Sequence, residues 1–470
     1  MMRRRDFLLG GAGAGLFNAA RRAASGPGGI AQPGWRSTGV AQGSPHGLAG
    51  RRFLTFNSVI RVNQIEVTRT RNEGFDEYDR HTTENVRALR QALAEGWPGA
   101  PMTWAFSWRA LHDERERYAT LRRLIPEFHD RYGDDVTFIP GAFFANAYNT
   151  RRQVNLDLHE GLARVSEIMG GGFRPKSLIA GFLSADNQKY LSEEEGIHVC
   201  QGNIWSQYAV DNQDGEGSIC YPYYPSTEHF CKPAQSRGDL IDCVNLDGWT
   251  VDFLAGRRPG GAESRRNRQY SRMGVGPIET IGNFGPETGL RQMLATTAVH
   301  FDKGFELNGW AWVTNCWEIS LVPQVGHLEI LTAWTRSIRE RWPSAECVLL
   351  GDFGQLWREA NRTNDDIDLR FQQRGTGIGG SDADMEIRWF MNKDFRLALL
   401  RNWQQDQPEQ VIDFTRYDLP AREPQEISRN WSLMNRLNQK GVRPQDRPVS
   451  FEELSEEDRR IILGRYPDLG

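Results

Sequence analysis

The residues best placed to do chemistry in this chain are carboxylates that directly follow apolar runs, each beside an amide or an indole. Asp247 stands in Val-Asn-Leu-Asp-Gly-Trp and Glu318 in Trp-Val-Thr-Asn-Cys-Trp-Glu. Cleavage of a glycosidic bond needs such a pair, one group donating a proton and the other serving as nucleophile or base across the scissile bond. Asp186 and Glu66 are reserve carboxylates of the same kind. Further side chains gather where other apolar runs end: Arg61, Asn63 and Gln64, then Trp104 and Trp108, then Asn146 and Asn149. Trp205, Trp249, Asn308, Trp312 and Asn315 complete the set. Side-chain amides pair with hydroxyl groups, and indole faces cover the C–H surface of a ring. The set therefore reads as substrate-binding residues for a poly- or oligosaccharide.

Plainer roles compete with each of these. Asp before Gly is a common turn former, and Glu after a strand balances a helix dipole. Trp310 and Trp312 alternate, so they share one strand face and suit a core as well as a ligand. Asp211, Asp214 and Glu216 could offer oxygen ligands, but their spacing departs from the calcium-loop pattern, which favours a solvated loop. No GxSxG elbow and no HExxH zinc motif occurs. The run Gly375–Gly380 matches GxGxxG, yet Ser381, Asp382 and Asp384 follow it where an apolar helix should start, so it reads as a loop. Neither cofactor nor metal is expected.

The elements that must position these groups alternate in type. Apolar runs at Phe53–Val67, Met102–Ser107, Val136–Phe144, Ser177–Leu183, His198–Trp205, Leu240–Leu246 and Phe305–Val313 read as strands. Helical stretches near Thr83–Glu95, Glu114–Tyr132 and Gln153–Met169 lie between the earlier ones. This alternation predicts an α/β fold, a (β/α)7-8 TIM-like barrel over 52–350, with reactive groups at the C-terminal strand ends. Short strand-like runs at Met385–Phe390, Phe395–Leu400 and Glu409–Phe414 predict a small β-rich accessory domain over 351–425. A polar tail follows over 426–470, with a helix near Phe451–Leu463.

Arg3, Arg4, Arg5, Asp6, Phe7 and Leu8 fit a twin-arginine signal, with a weakly apolar Gly/Ala run and small residues up to position 24 behind them. Residues 25–51 read as a linker. Expected partners are accordingly the twin-arginine export machinery and a saccharide, with a periplasmic or extracellular location. The formal net charge is −4, and removing 1–24 (five Arg, one Asp) brings it near −8, which argues against nucleic acid. The apolar run is shorter than the roughly 20 residues of a membrane span. Six cysteines are too few for a disulfide scaffold; Cys220 and Cys231 could pair in an oxidising compartment or stay as buried thiols.

Three segments carry a resemblance: Thr-Phe-Asn-Ser-Val-Ile-Arg-Val-Asn-Gln at 55–64, Thr-Trp-Ala-Phe-Ser-Trp at 103–108 and Phe-Phe-Ala-Asn-Ala-Tyr-Asn-Thr at 143–150. They resemble an uncharacterised family of exported bacterial proteins, itself similar to the glycoside hydrolase/deacetylase superfamily of (β/α)7 barrels. A small C-terminal β unit, matched by Val411–Pro420, often accompanies that family. The deacetylase branch opens with Thr-Phe-Asp-Asp-Gly and binds metal through one Asp and two His. Here Asn57 and Ser58 follow Thr55-Phe56 and the His pair is missing, so metal-dependent deacetylation is disfavoured. The hydrolase branch, which uses two acidic residues, agrees with Asp186, Asp247 and Glu318. The expectation is an exported carbohydrate-active enzyme, a glycoside hydrolase; a non-catalytic carbohydrate-binding or cell-surface protein is the alternative, and a lyase or esterase a third.

Overall fold

The computed structural model describes residues 47–203, 217–256, 270, 272–405, 408–429, 431–433, 437 and 447–469. The twin-arginine segment, Trp205, Asp211, Asp214 and Glu216 lie outside the described residues.

Strand β1 (Arg52–Ile60) is buried along nearly its whole length, as a strand covered on both faces must be. The expected run to Val67 breaks at Arg61, and a short antiparallel hairpin follows, β2 (Asn63–Ile65) with β3 (Glu73–Asp76). One edge of β1 pairs in parallel with β9 (Ala311–Cys316). The other edge is shared, its first half with β10 (Ala345–Val348) and its second with β4 (Thr103–Ser107), which in turn pairs with β5 (Asp135–Ile139). A second parallel sheet joins β6 (Leu178–Ile179), β7 (Val199–Asn203) and β8 (Val244–Asp247). The two sheets touch at both flanks. The Thr137 hydroxyl donates to the Ser177 carbonyl, linking β5 to the β6 side. At the other flank, Thr250 N–H donates to the Thr314 carbonyl and Thr314 N–H to the Thr250 hydroxyl, each at 3.0 Å.

Helices Thr83–Gly96, Glu116–Tyr132 and Arg151–Met169 alternate with the earlier strands as the sequence predicts, and a fourth that it does not predict, Ala185–Glu193, follows β6. Thr82, Thr150 and Ser184 cap three of them by accepting a backbone N–H from the third residue on. Two further helices, Asn283–Ala298 and Leu328–Arg341, follow β8 and β9. Leu54, Phe56 and Ile60 of β1 share one core with Leu89, Leu121, Leu158 and Trp334 of the helices. Helix Leu350–Ala360 packs against β1, β7 and β8, so the residues just past 350 belong with the parallel strands.

Strands β11 (Asp368–Arg374), β12 (Met385–Asn392), β13 (Phe395–Asn402) and β14 (Gln410–Arg416) form an antiparallel sheet in sequence order. One face, with Phe371, Ile387, Trp389 and Met391, joins the core that holds Tyr221 and Phe253. On the other face Phe390, Leu397 and Phe414 meet Ile462 and Tyr466 of the terminal helical segment. The 375–380 run lies in the loop between β11 and β12, as read from sequence.

A further strand expectation is corrected. Phe305–Asn308 is a helical turn ended by Gly309 at φ 74°, and the strand runs from Ala311 to Cys316. The six cysteines are all free, and Cys220 Sγ faces Met391 Sδ at 3.8 Å. Among the described residues no helix is long and apolar enough to cross a membrane.

Candidate functional site at the C-terminal strand ends

The chain beyond β9 stays on β1: Trp317 N–H donates to the Asn57 carbonyl at 3.0 Å and Ile319 N–H to the Val59 carbonyl at 3.3 Å. That extension carries Glu318 to the end of β1, where Arg61 stands. Arg61 Nη2 lies 2.6 Å from Glu318 Oε2, and its Nε donates to Glu77 Oε2 at 2.7 Å. Ser320 Oγ accepts from the same Nη2 at 3.3 Å. The backbone of Arg61 is fixed as well, its N–H facing His81 Nε2 at 3.3 Å and its carbonyl accepting from Tyr118 Oη at 2.9 Å. Burial pushes His81 down to about 4, so it is a neutral acceptor here.

A second knot lies beside the first. Glu66 Oε1 accepts from Ser107 Oγ at 2.5 Å and from Val62 N–H at 3.0 Å, and Oε2 accepts Arg109 N–H at 3.1 Å. Arg109 Nη1 then donates to Asn63 Oδ1 at 3.2 Å. Glu66 is buried and engaged through both oxygens, so it shapes the loop after β1 and is not free to exchange a proton with a ligand.

Backbone strain marks the same rim. Gly141, Ala142 and Phe143, just past β5, have φ of 59°, 44° and 79°. Left-handed backbone costs about 1–3 kcal/mol at a non-glycine residue and persists where the surroundings impose it. Here it lays the Phe143 ring 5.8 Å from the Arg61 guanidinium carbon and against Gly181, whose missing Cβ makes room.

Among the carboxylates read from sequence, Glu318 alone combines the ion pair of a buried cluster with an opening to solvent, at 16% side-chain exposure. Burial raises its pKa above the ordinary value and the Arg61 charge opposes that; Glu77 raises it further, Arg272 lowers it and Glu279 raises it. Asp247 is buried, its Oδ1 accepting Gly248 N–H at 2.6 Å, and its charge bears on Cys220 and Tyr223. Asp186 is a surface group, 61% exposed and 2.9 Å from Arg151.

The structure brings Arg61, Asn63, Glu66 and Glu318 together and disperses much of the remaining set. Trp104 is a core residue whose Nε1 donates to Asp134 at 2.9 Å. Trp312 is also core, stacked on Phe353 at 4.9 Å with its Nε1 on Thr55 at 3.1 Å. Asn308 sits before β9, at the opposite end of the strand, exchanging hydrogen bonds with the Arg370 backbone. Asn315 donates to the Val275 carbonyl. Asn146 bridges Ser184 N–H and Asn187, and Asn149 donates to the Val67 carbonyl, so both brace the strand-end loops. Trp108 is half-buried beneath the Arg69 guanidinium at 3.7 Å, and Trp249 lies 5.6 Å from that of Arg272. Gln64 is half-buried on the hairpin, packed against Gly74.

Glu77, Arg272, Glu279 and His81 escaped the sequence reading because they follow none of the apolar runs read as strands; Glu77 comes directly after the short, largely exposed β3. Their one sequence signal is charge close to Arg61 or Trp249 in a turn. Asn57, where the deacetylase motif has Asp, is fully buried with neither amide atom hydrogen-bonded, and Thr103 beside it in the β4 register is also unpartnered. Among the described residues no three His, Cys, Asp or Glu side chains converge as metal ligands.

A cleft of about 220 Å³ opens near the ends of β5 and β6 between Asn149, Thr150 and Arg151 on one side and Gln425, Ile427 and Trp431 on the other. The segment forming its far wall is held by buried Glu423, which accepts Ala185 N–H at 2.7 Å, Phe230 N–H at 2.9 Å and Arg151 Nη2 at 2.9 Å. Burial outweighs these donors and pushes Glu423 up from 4.5 to about 7. A carboxyl raised by folding stabilises fully below its unfolded pKa, and that contribution is lost as pH rises from 4.5 towards 7. Urea unfolding across pH 4–8 should show a loss of about 3 kcal/mol in this window, absent in Glu423→Gln. Parallel curves for the two proteins would refute it.

Parallel strands delivering an arginine-gripped, partly open carboxylate at their C-terminal ends define an α/β protein with an enzyme-like site. The chain belongs to the family described as a domain of unknown function with solved structure, DUF3863, which matches residues 46–391; a second such family, DUF3864, matches 396–469. The boundary between them falls in the β12–β13 turn, inside one sheet. A crystal structure from Parabacteroides distasonis, described as a candidate glycoside hydrolase/deacetylase, is 46% identical, with a TM-score of 0.83 over 90% of this chain and 99% of that one. Puue allantoinase is 12% identical, with a TM-score of 0.42 over 70% of this chain and 98% of its own. A GH57 branching enzyme from Thermococcus kodakaraensis is 11% identical, with a TM-score of 0.39 over 65% of this chain and 71% of its own. No curated protein matches the chain.

Proposed function

We propose that this protein is an exported carbohydrate-active enzyme, a glycoside hydrolase whose proton donor is Glu318. The observation that carries this reading is the state of that one carboxyl: gripped by Arg61, raised in pKa by burial, and still open to solvent. A carboxylic acid kept protonated above its ordinary range can protonate a leaving glycosidic oxygen. The description of the 46%-identical relative as a candidate glycoside hydrolase/deacetylase supports the same class. In this reading the two parallel sheets are arcs of one (β/α)7 barrel, and the nucleophile or base is sought first at Asp247, a buried side chain that ends β8.

The mechanism asks the following of the chain's own residues. Arg61 fixes one Glu318 oxygen, leaving the other free to face the leaving oxygen. Glu77 shares the Arg61 charge and raises the Glu318 pKa against the pull of Arg61. Glu66 ties the segment after β1, which carries Asn63, to the helical turn after β4, which carries Arg109. The test is a polysaccharide-hydrolysis screen of the mature protein, followed by Asp247→Asn and Glu279→Gln variants. Loss of cleavage in the first alone supports the assignment; loss in the second alone moves the role to Glu279. Glycan binding without cleavage by the wild type would instead support a binding protein.

The proton-donor role fixes a pH sign. Activity requires protonated Glu318, so the rate falls on the alkaline side as pH passes its pKa. Glu77 raises that pKa, so Glu77→Gln should move the alkaline limb to lower pH. A rate–pH profile unchanged by Glu77→Gln would sink the pairing.

A further inference from the structure

The C-terminal sheet turns one face away from the parallel strands, and that face is covered over Phe390, Leu397 and Phe414 but exposed at Arg374 and Arg401. Phe390, Leu397, Leu399 and Phe414 lie under Leu454, Ile462 and Tyr466. Towards the end of β13 the cover stops. There the register places Arg374, Glu386 and Arg401 side by side on three neighbouring strands. Two residues past Arg401, Trp403 is 43% exposed, whereas Trp104, Trp312, Trp317, Trp334, Trp389 and Trp431 are fully buried. Its backbone is fixed, because the main-chain N–H of Trp403 donates to the Asp384 carbonyl at 2.7 Å.

The two arginines converge on that ring. The Arg401 guanidinium carbon lies 3.8 Å from its centroid and that of Arg374 5.2 Å. Arg374 Nε is held by the Ala383 carbonyl at 2.9 Å. Among the described residues neither guanidinium is within ion-pair distance of a carboxylate, and Glu386 between them is tied to Gln372 at 3.0 Å. A guanidinium resting on an indole is pre-oriented and keeps N–H groups at its edge for a planar anion. A carboxylate fits that fork through two parallel hydrogen bonds, and the rest of the ring can cover a flat apolar surface. One polymer offers both in repeating register: a polysaccharide of uronic acids, each residue having a C–H face and a carboxylate. A neutral glycan would leave the guanidinium groups unused.

We propose that Trp403, Arg401 and Arg374 form a binding surface for a carboxylate-bearing polysaccharide, apart from the acid site at the strand ends. It goes beyond the hydrolase reading and shares with it only the class of ligand, and it is read by binding, so the two can fail separately. The test is affinity electrophoresis of the full chain through gels containing polygalacturonate, galactomannan or duplex DNA. The expected result is retardation by polygalacturonate alone. Trp403→Ala and the double variant Arg374→Gln/Arg401→Gln should each weaken it about tenfold, the size of one lost stacking or cation–π contact. All three side chains are exposed, so the unfolding midpoints should not move. Wild-type and Trp403→Ala retarded equally, no retardation by polygalacturonate, or equal Trp403-dependent retardation by DNA would each overturn the proposal.

Discussion

Glu318→Gln is expected to lower glycan cleavage by about 10²–10⁴-fold, the contribution of a positioned general acid, while leaving the fold intact. The amide is isosteric with the acid, and Arg61 keeps Glu77 at 2.7 Å, so no buried cation is stranded. The loss should fall on kcat, because the missing proton is needed only in the transition state. An unfolding midpoint within a degree or two of the wild type separates this from misfolding. If Glu318→Gln cleaves at the wild-type rate, the ion pair with Arg61 is structural and the catalytic assignment falls.

That site was half legible in the sequence, for a physical reason. Residues directly behind a buried strand are carried to a predictable place, so Glu318 and Arg61 could be read from the apolar runs before them. What the runs could not tell was orientation. Trp312 precedes Glu318 on the same strand, yet it faces Phe353 and packs as core. Trp104 looked like a ligand platform, but its N–H serves buried Asp134, itself 2.8 Å from Arg90. Glu77 was invisible because it reaches Arg61 from a hairpin, and hairpin contacts depend on tertiary docking. Asn308 failed through a boundary error: Gly309 ends a helical turn where a strand was expected, moving the asparagine to the wrong end. The repeating strand–helix order, by contrast, is written in composition, since strands buried on both faces must be continuous apolar runs. Strands β10 and β11 escaped notice because their burial is partial or alternating, and their sequences are correspondingly mixed.

The largest stability effect should come from the buried pair in the C-terminal sheet, where Arg396 and Asp413 are both fully inaccessible. Arg396 Nη2 meets Asp413 Oδ2 at 2.8 Å, its Nη1 donates to the Ser218 carbonyl at 3.0 Å, and Thr415 Oγ1 donates to Asp413 Oδ1 at 2.9 Å. Removing one partner of such a pair leaves a charge in low dielectric, a loss of about 3–5 kcal/mol. Asp413→Asn is therefore expected to lower the urea unfolding free energy by that amount. The double variant Arg396→Met/Asp413→Leu should recover most of it, since no unpaired charge remains. The consequence reaches the candidate site. Ser218 belongs to a loop that also receives the Tyr417 hydroxyl on the Gly217 carbonyl at 2.7 Å, and it leads to Tyr221. The Tyr221 hydroxyl accepts Trp312 N–H at 2.9 Å and faces His300 Nδ1 at 3.0 Å, with His300 kept neutral by burial, down to about 3. Trp312 is in the strand that delivers Glu318, so loosening the sheet should slow cleavage together with the loss of stability. A loss below about 1 kcal/mol in Asp413→Asn, the size of an exposed pair, would show that the sheet does not depend on this contact.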